Sequence, residues 1–315
     1  MNQLLNFIFL FLILVNISYG KTIEKFLSKW PEQPFLIYVP SNNIEFNEKP
    51  NSLIISLHGA GSNAEEQQLN SCANGKETDF SCLDRLADKK NIIVVYPNGK
   101  KIGKGCRLNN RNCFPRHWQP TGPCGNFATN ETNLKITGDN AYLLDVLNYV
   151  KREFNIESKS VYFSGMSNGA AMAFDISCQL KKQVSGVALI AGHGLLLNRC
   201  GCTNGIRPKI IQFHGTQDPV WSYDSSKKFI SGLAKIGECS ENAQTKLLLD
   251  FDKNDGTTVT KLIFENCKNG PLAHYKIIGG GHTWPNGFHY SDKVGSVSRD
   301  ISANEEMWNF FQSLP

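Results

Sequence analysis

Seven short apolar runs recur along the chain, each long enough for one strand and too short for a helix: FLIYVP at 35–40, SLIISL at 52–57, IIVVYP at 92–97, SVYFSG at 160–165, VALIAG at 187–192, KIIQFHG at 209–215 and YKIIGG at 275–280. Unbroken apolar runs of this length suit central strands that are covered on both faces. Helical patterns separate them. AYLLDVLNYVKREF at 141–154 places Leu143, Val146, Leu147 and Val150 at helical spacing, NGAAMAFDISCQL follows Ser167, and ISANEEMWNFFQSL comes near the end. Strands separated by helices predict an α/β fold on a mostly parallel sheet with right-handed crossovers and helices on both faces. With 315 residues, 41% hydrophobic and 19% charged, there is apolar material for a full core and too little charge for disorder.

The leader MNQLLNFIFLFLILVNISYG carries no charged side chain, and its apolar stretch from Leu4 to Val15 is shorter than the roughly 20 residues of a spanning helix. It reads as a secretory signal at 1–20, with Ser18 and Gly20 as the small residues before the cut. No repeat and no Pro/Thr/Ser-rich linker divides the rest, so 21–315 is expected to be one catalytic-sized domain, soluble, extracellular and free of the membrane once mature. Lys plus Arg number 33 against 28 Asp plus Glu, a net charge of +5 with no run of five like charges. That pattern gives no footprint for a nucleic-acid partner.

Export makes disulfides the expected state of the ten cysteines, all of which follow Gly20. Cys106, Cys113 and Cys124 lie in an aperiodic stretch from Gly99 to Gly138 that reads as a disulfide-pinned surface loop, and Cys200 and Cys202 flank one residue. Neither a Cys-x-x-Cys pair nor a matching histidine pair is present, so no metal site is expected.

In open α/β sheets chemistry gathers at the carboxyl ends of the strands. SVYFSG runs into GMSNG, Gly165 to Gly169, and then into an Ala-rich helix. This is G-x-S-x-G in the strand–turn–helix setting that exposes a nucleophilic serine, here Ser167. The alternative is a Gly-rich turn in which Ser167 only caps the helix. A serine nucleophile requires a base and an orienting acid, in the chain order Ser, acid, His. Asp218 follows KIIQFHG and His282 follows YKIIGG, each at a strand end. Asp175, Asp224, His274 and His289 fit less well by position, and His58 and His214, which close their strands, read as buried hydrogen-bonded histidines. An oxyanion hole is also needed. LHGAGSNA, 57–64, follows an early strand, so the Ala60 amide and the amide of Asn168, next to the nucleophile, are the expected donors.

Together LHGAGSNA, YPNGK, GDNAYLLDVLNYVKREFNIESKSVYFSGMSNGAAMA, HGTQDPVW and GGGHTWPNG resemble the secreted esterase family of polyhydroxybutyrate depolymerases and feruloyl esterases of the B, C and D types. The resemblance runs in order over nearly all of 21–315. It implies an α/β-hydrolase fold, hydrolysis of carboxylic esters, and catalytic positions at Ser167, Asp218 and His282; such chemistry needs no metal or organic cofactor. It also implies a pair between Cys239 and Cys267. The segment they bracket reads as two strand-like runs, KLLLDF and TVTKLIFE, with a turn signal at Asn254, Asp255 and Gly256, a hairpin that could bring both cysteines together. The Cys-rich stretch at 106–124 departs from the short loop of many family members.

The substrate class implied is an ester on a polysaccharide, feruloyl or acetyl on plant cell-wall xylan. A short-chain polyester, a small soluble ester, or an inactive hydrolase-fold binding protein are the alternatives. Trp284, two residues after His282 and followed by Pro285, is expected to wall the substrate site, with Trp118 as a second candidate. Asn130, in Asn-Glu-Thr, is the one N-glycosylation sequon after the leader.

Overall fold

The short apolar runs become strands whose successive side chains enter two different cores. In Phe35–Val39 (β2), Phe35, Ile37 and Val39 join one cluster while Leu36 and Tyr38 join the other. Ser52–Leu57 (β3) divides in the same way, Leu53, Ile55 and Leu57 against Ile54. The pleat sends alternate residues to opposite faces, so only a sheet covered on both sides makes use of such runs. The computed structural model describes residues 19–46, 49–50, 52–101, 116–120, 138–195, 208–268 and 270–313. Residues 1–18 of the leader, Asn130, and Cys106, Cys113, Cys124, Cys200 and Cys202 lie outside them.

The remaining strands are Lys21–Lys25 (β1), Ile92–Pro97 (β4), Lys100–Lys101 (β5), Arg116–His117 (β6), Val161–Met166 (β7), Gly186–Ile190 (β8), Lys209–Gly215 (β9), Gln244–Leu247 (β10), Thr258–Phe264 (β11) and Leu272–Ile278 (β12). Among the described residues ten of the twelve form one sheet in the order β1-β2-β4-β3-β7-β8-β9-β12-β11-β10, and β5 pairs with β6. The centre, β4-β3-β7-β8-β9-β12, is parallel throughout, with antiparallel strands on both flanks. All seven apolar runs are strands of this sheet.

The helices are Ser41–Phe46 (α1), Ala64–Asn70 (α2), Leu83–Lys90 (α3), Gly138–Phe154 (α4), Asn168–Leu180 (α5), Tyr223–Ile236 (α6) and Ala303–Gln312 (α7). Side chains of α4, α5 and α6 fill one core, and those of α3 and α7 the other. This is the α/β-hydrolase architecture.

The edge hairpin differs from its sequence pattern in one respect. KLLLDF was expected to be a strand throughout, yet β10 stops at Leu247. The Phe251 and Asp252 amides turn instead to the Asp300 carboxylate, at 2.8 and 3.2 Å. Cys239 and Cys267 are disulfide-bonded, and so are Cys72 and Cys82.

Candidate active site

The turn after β7 can form only because two glycines let three backbones meet. A Cβ on Gly165 would stand 2.3 Å from the Gly169 carbonyl oxygen, and one on Gly169 would stand 2.3 Å from that of Leu57. Between them Ser167 takes φ 56° and ψ −120°, a conformation that costs an L-residue about 1–3 kcal/mol. Its N–H is tied to the Ile190 carbonyl at 2.9 Å. The Ser167 side chain forms no capping bond to α5, so the helix-cap alternative does not describe it.

Asp218 lies in the loop after β9 and His282 in the loop after the neighbouring β12. His282 Nδ1–H donates to Asp218 Oδ2 at 2.8 Å. The other carboxylate oxygen, Oδ1, accepts the Val220 and Trp221 amides, both at 2.8 Å. His214 Nε2 lies 3.3 Å from Asp218 Oδ2 and 2.8 Å from the Trp221 carbonyl. Burial alone would raise the Asp218 carboxyl. The hydrogen bonds from His214 and His282, with the charge of His282 and the Trp221 amide, reverse this and hold it well below the usual carboxylate range. The result is a buried, permanently charged acceptor for one imidazole N–H. The His282 backbone is fixed too, its N–H by the Val294 carbonyl at 2.6 Å and its carbonyl by the Tyr290 hydroxyl at 2.9 Å. Burial and the nearby Asp218 charge push Tyr290 up to about 12, so it stays a donor.

The loop after β3 closes the other side of the serine. A Cβ on Gly59 would lie 3.6 Å from Ser167 Cβ, which places the backbone before Ala60 directly against the nucleophile position. Ala60 is exposed, and Asn168 opens α5. The loop that carries Ala60 and the start of α5 therefore meet at the Ser167 turn. His58 braces this loop: its Nδ1–H donates to the Gly59 carbonyl at 2.7 Å and its Nε2 accepts the Gly99 amide at 2.9 Å. Burial pushes His58 down to about 4, which keeps it neutral, as a structural histidine must be.

The two tryptophans expected to wall the substrate are both 1% exposed. Trp284 is packed in the core on the α3–α7 side, its indole N–H on Asn304 Oδ1 at 3.2 Å. Being close to His282 in the chain did not turn its ring toward the cleft. Trp118 donates its indole N–H to the His58 carbonyl at 2.9 Å, and its backbone is held by the Asn168 side chain. It joins the loop after β3 to the serine turn and offers no open face to a substrate.

The competing residues are accounted for elsewhere. Asp175 is buried in α5 and takes amide bonds from Asn140 and Gln179, Asp224 is exposed at the start of α6, and His289 is exposed. His274 is buried against the Tyr223 hydroxyl, and burial pushes it down to about 3. Among the described residues, Trp221 is a functional candidate beyond those expected from the sequence, partly exposed and bonded to Asp218. Its signal was an aromatic side chain three residues after the acid in HGTQDPVW.

The profile of a family described as phospholipase/carboxylesterase matches residues 42–249. A bifunctional acetylxylan esterase/xylanase from Neocallimastix patriciarum is 26% identical over 250 residues, 78% of this chain and 30% of that protein. A probable feruloyl esterase C from Aspergillus oryzae is 25% identical over 296 residues, 93% of this chain and 88% of the relative. The chain thus spans less than a third of the first relative and most of the second. The structure of an acetyl xylan esterase from Aspergillus awamori shares the fold with a TM-score of 0.61 at 13% identity, over 93% of this chain and 99% of that one. With the profile covering well over half of its length, this chain belongs to the phospholipase/carboxylesterase family.

Proposed function

We propose that the chain is a secreted serine esterase that removes feruloyl or acetyl groups from plant cell-wall xylan. Ser167 Oγ attacks the ester carbonyl carbon while His282 Nε2 takes the hydroxyl proton. Asp218 keeps the imidazole in the tautomer that leaves Nε2 free and balances its charge once protonated. The Ala60 and Asn168 amides receive the oxyanion of the tetrahedral intermediate. His282 then returns the proton to the leaving alcohol, and water attacks the acyl-serine by the same route in reverse order. The alcohol and the free acid are the products.

The observation that carries this reading is the 2.8 Å pairing of His282 with Asp218 in the same row of strand ends as the strained Ser167 turn. Xylan as the polymer rests on what the relatives are named for. Secretion, with residues 1–20 removed and 21–315 as the working domain, rests on the apolar leader and is supported by the disulfides.

One purified preparation assayed on methyl ferulate, acetylated xylan, a hydroxybutyrate oligomer and a short p-nitrophenyl ester tests the proposal. The first two should be turned over with the highest kcat/KM. Turnover confined to the oligomer or to the short ester would replace xylan by a polyester or a small ester. A folded protein inactive on all four would be a hydrolase-fold binding protein.

A further inference from the structure

Sheet order places the carboxyl ends of β7, β8, β9 and β12 side by side, carrying Ser167, the segment 191–195, the segment 216–222 and His282. The ground between Ser167 and His282 therefore lies over β8 and β9, and beside Asp218 it carries His193 and Trp221. Trp221 is tied at three points. Its amide holds Asp218 Oδ1, its carbonyl takes His214, and its indole N–H donates to His193 Nε2 at 2.7 Å. His193 is fixed in turn by donation from Nδ1–H to the Gly194 carbonyl at 2.8 Å and by stacking on Phe229, with centroids 5.2 Å apart and planes at 23°. Burial lowers His193 from its ordinary value, so its Nε2 stays an acceptor for the indole.

We propose that Trp221, locked by His193, is the wall of an acyl subsite that selects esters of planar aromatic acids. The inference rests on the esterase reading above. Hydrogen-bond accounting decides the ligand class. The indole N–H and both imidazole nitrogens are already committed to protein partners, so the partly exposed Trp221 offers an apolar ring without a free side-chain donor or acceptor. Its chain neighbour Val220 and Leu195, two residues after His193, are 63% and 54% exposed and also apolar. A sugar ring stacked on such a wall would find no hydrogen-bond partner there for its hydroxyls, whereas an aromatic acyl ring needs none. The other two tryptophans of this end of the sheet, Trp118 and Trp284, are buried and cannot serve.

Two methyl esters that differ only in the acid, ferulate and propionate, isolate the subsite, because the alcohol is constant. Trp221→Leu should lower the ferulate-to-propionate ratio of kcat/KM by about tenfold or more, mainly through KM for ferulate. Trp221→Phe retains a ring and the backbone contacts, and should give a smaller change in the same direction; it also serves if the leucine variant folds poorly. His193→Ala frees the indole and should shift the ratio the same way. A ratio within about twofold of the parent in all three folded variants overturns the proposal while leaving the esterase reading intact. So does a change that appears only when the alcohol is varied, methyl against xylobiosyl ferulate, because the wall would then face the sugar. A parent protein that hydrolyses neither methyl ester overturns the esterase reading and this subsite with it.

Discussion

The side chain of Asn168 grips the backbone of Trp118 from both sides: its Oδ1 accepts the Trp118 amide at 2.7 Å and its Nδ2 donates to the Trp118 carbonyl at 3.0 Å. Through this clip the residue after the proposed nucleophile is joined to a segment that also braces the oxyanion loop, by Trp118 Nε1–H on the His58 carbonyl and by the Gly61 amide on the Arg116 carbonyl. Asn168→Ala keeps the Asn168 amide but releases the clip. It should lower kcat between about tenfold and a hundredfold, because losing one oxyanion donor outright costs about 10²–10³. Stability should fall by about 1–3 kcal/mol, the cost of two unpaired backbone groups. Steady-state kinetics with a denaturant titration check this; an unchanged kcat would mean that the clip does not position the amides.

Asp218→Asn should leave the fold intact and reduce turnover by about 10⁴, the size of the corresponding loss in a serine protease, because the amide no longer holds His282 in its working tautomer. Asp224→Asn, six residues on and exposed, is the matched control. Equal effects in the two variants would show that the acid lies elsewhere.

Trp284→Ala removes a fully buried ring and its bond to Asn304. A loss of about 3–5 kcal/mol is expected, read from the urea midpoint, with rates on ring-bearing and short-chain esters falling together. A KM rise confined to the ring-bearing ester would instead place the indole in the binding cleft.

Acid should destabilise the fold before the site chemistry is considered. His58 and His274 are held neutral, at about 4 and about 3 against an ordinary 6.5. Between those values the unfolded chain binds more protons than the folded one, so their contribution is whole above pH 6.5 and is lost as pH falls toward 4 and then 3. Asp218, depressed in the folded state, adds a loss of the same sign below the ordinary carboxylate value. Asp84 opposes them. Burial, against hydrogen bonds from Tyr96 and Gln68, raises it from 3.8 to about 6, so the folded chain gains stability as pH falls through that interval. The urea midpoint should therefore decline from about pH 7 to about pH 4, and more steeply in Asp84→Asn. A midpoint that is flat or rises toward acid in both proteins would contradict this assignment.

Much of this architecture is written in side-chain periodicity. Runs such as IIVVYP and VALIAG are apolar at every position because both sheet faces are covered; FLIYVP is equally apolar although β2 pairs antiparallel, so the pattern marks coverage and not strand direction. The proposed site positions Ser167, Asp218 and His282 stand at strand ends, and strand ends and glycines announce themselves locally. What the sequence did not reveal is where loop side chains point. Trp284 sits beside His282 in the chain, yet packs toward α7. Trp118 comes from an aperiodic Cys-rich stretch, and its bond to Asn168 spans 50 positions. The end of β10 likewise depends on Asp300, 49 residues from Phe251, which no local pattern signals.

The central claim is that Ser167 is the nucleophile of an ester hydrolase. Incubation with a fluorophosphonate probe, followed by peptide mapping and a parallel rate measurement, tests it most directly. The account predicts one labelled peptide carrying the adduct on Ser167 in GMSNG, loss of ester turnover in step with labelling, and neither labelling nor turnover in Ser167→Ala. Labelling of a different serine, or full ester hydrolysis by folded Ser167→Ala, would contradict it.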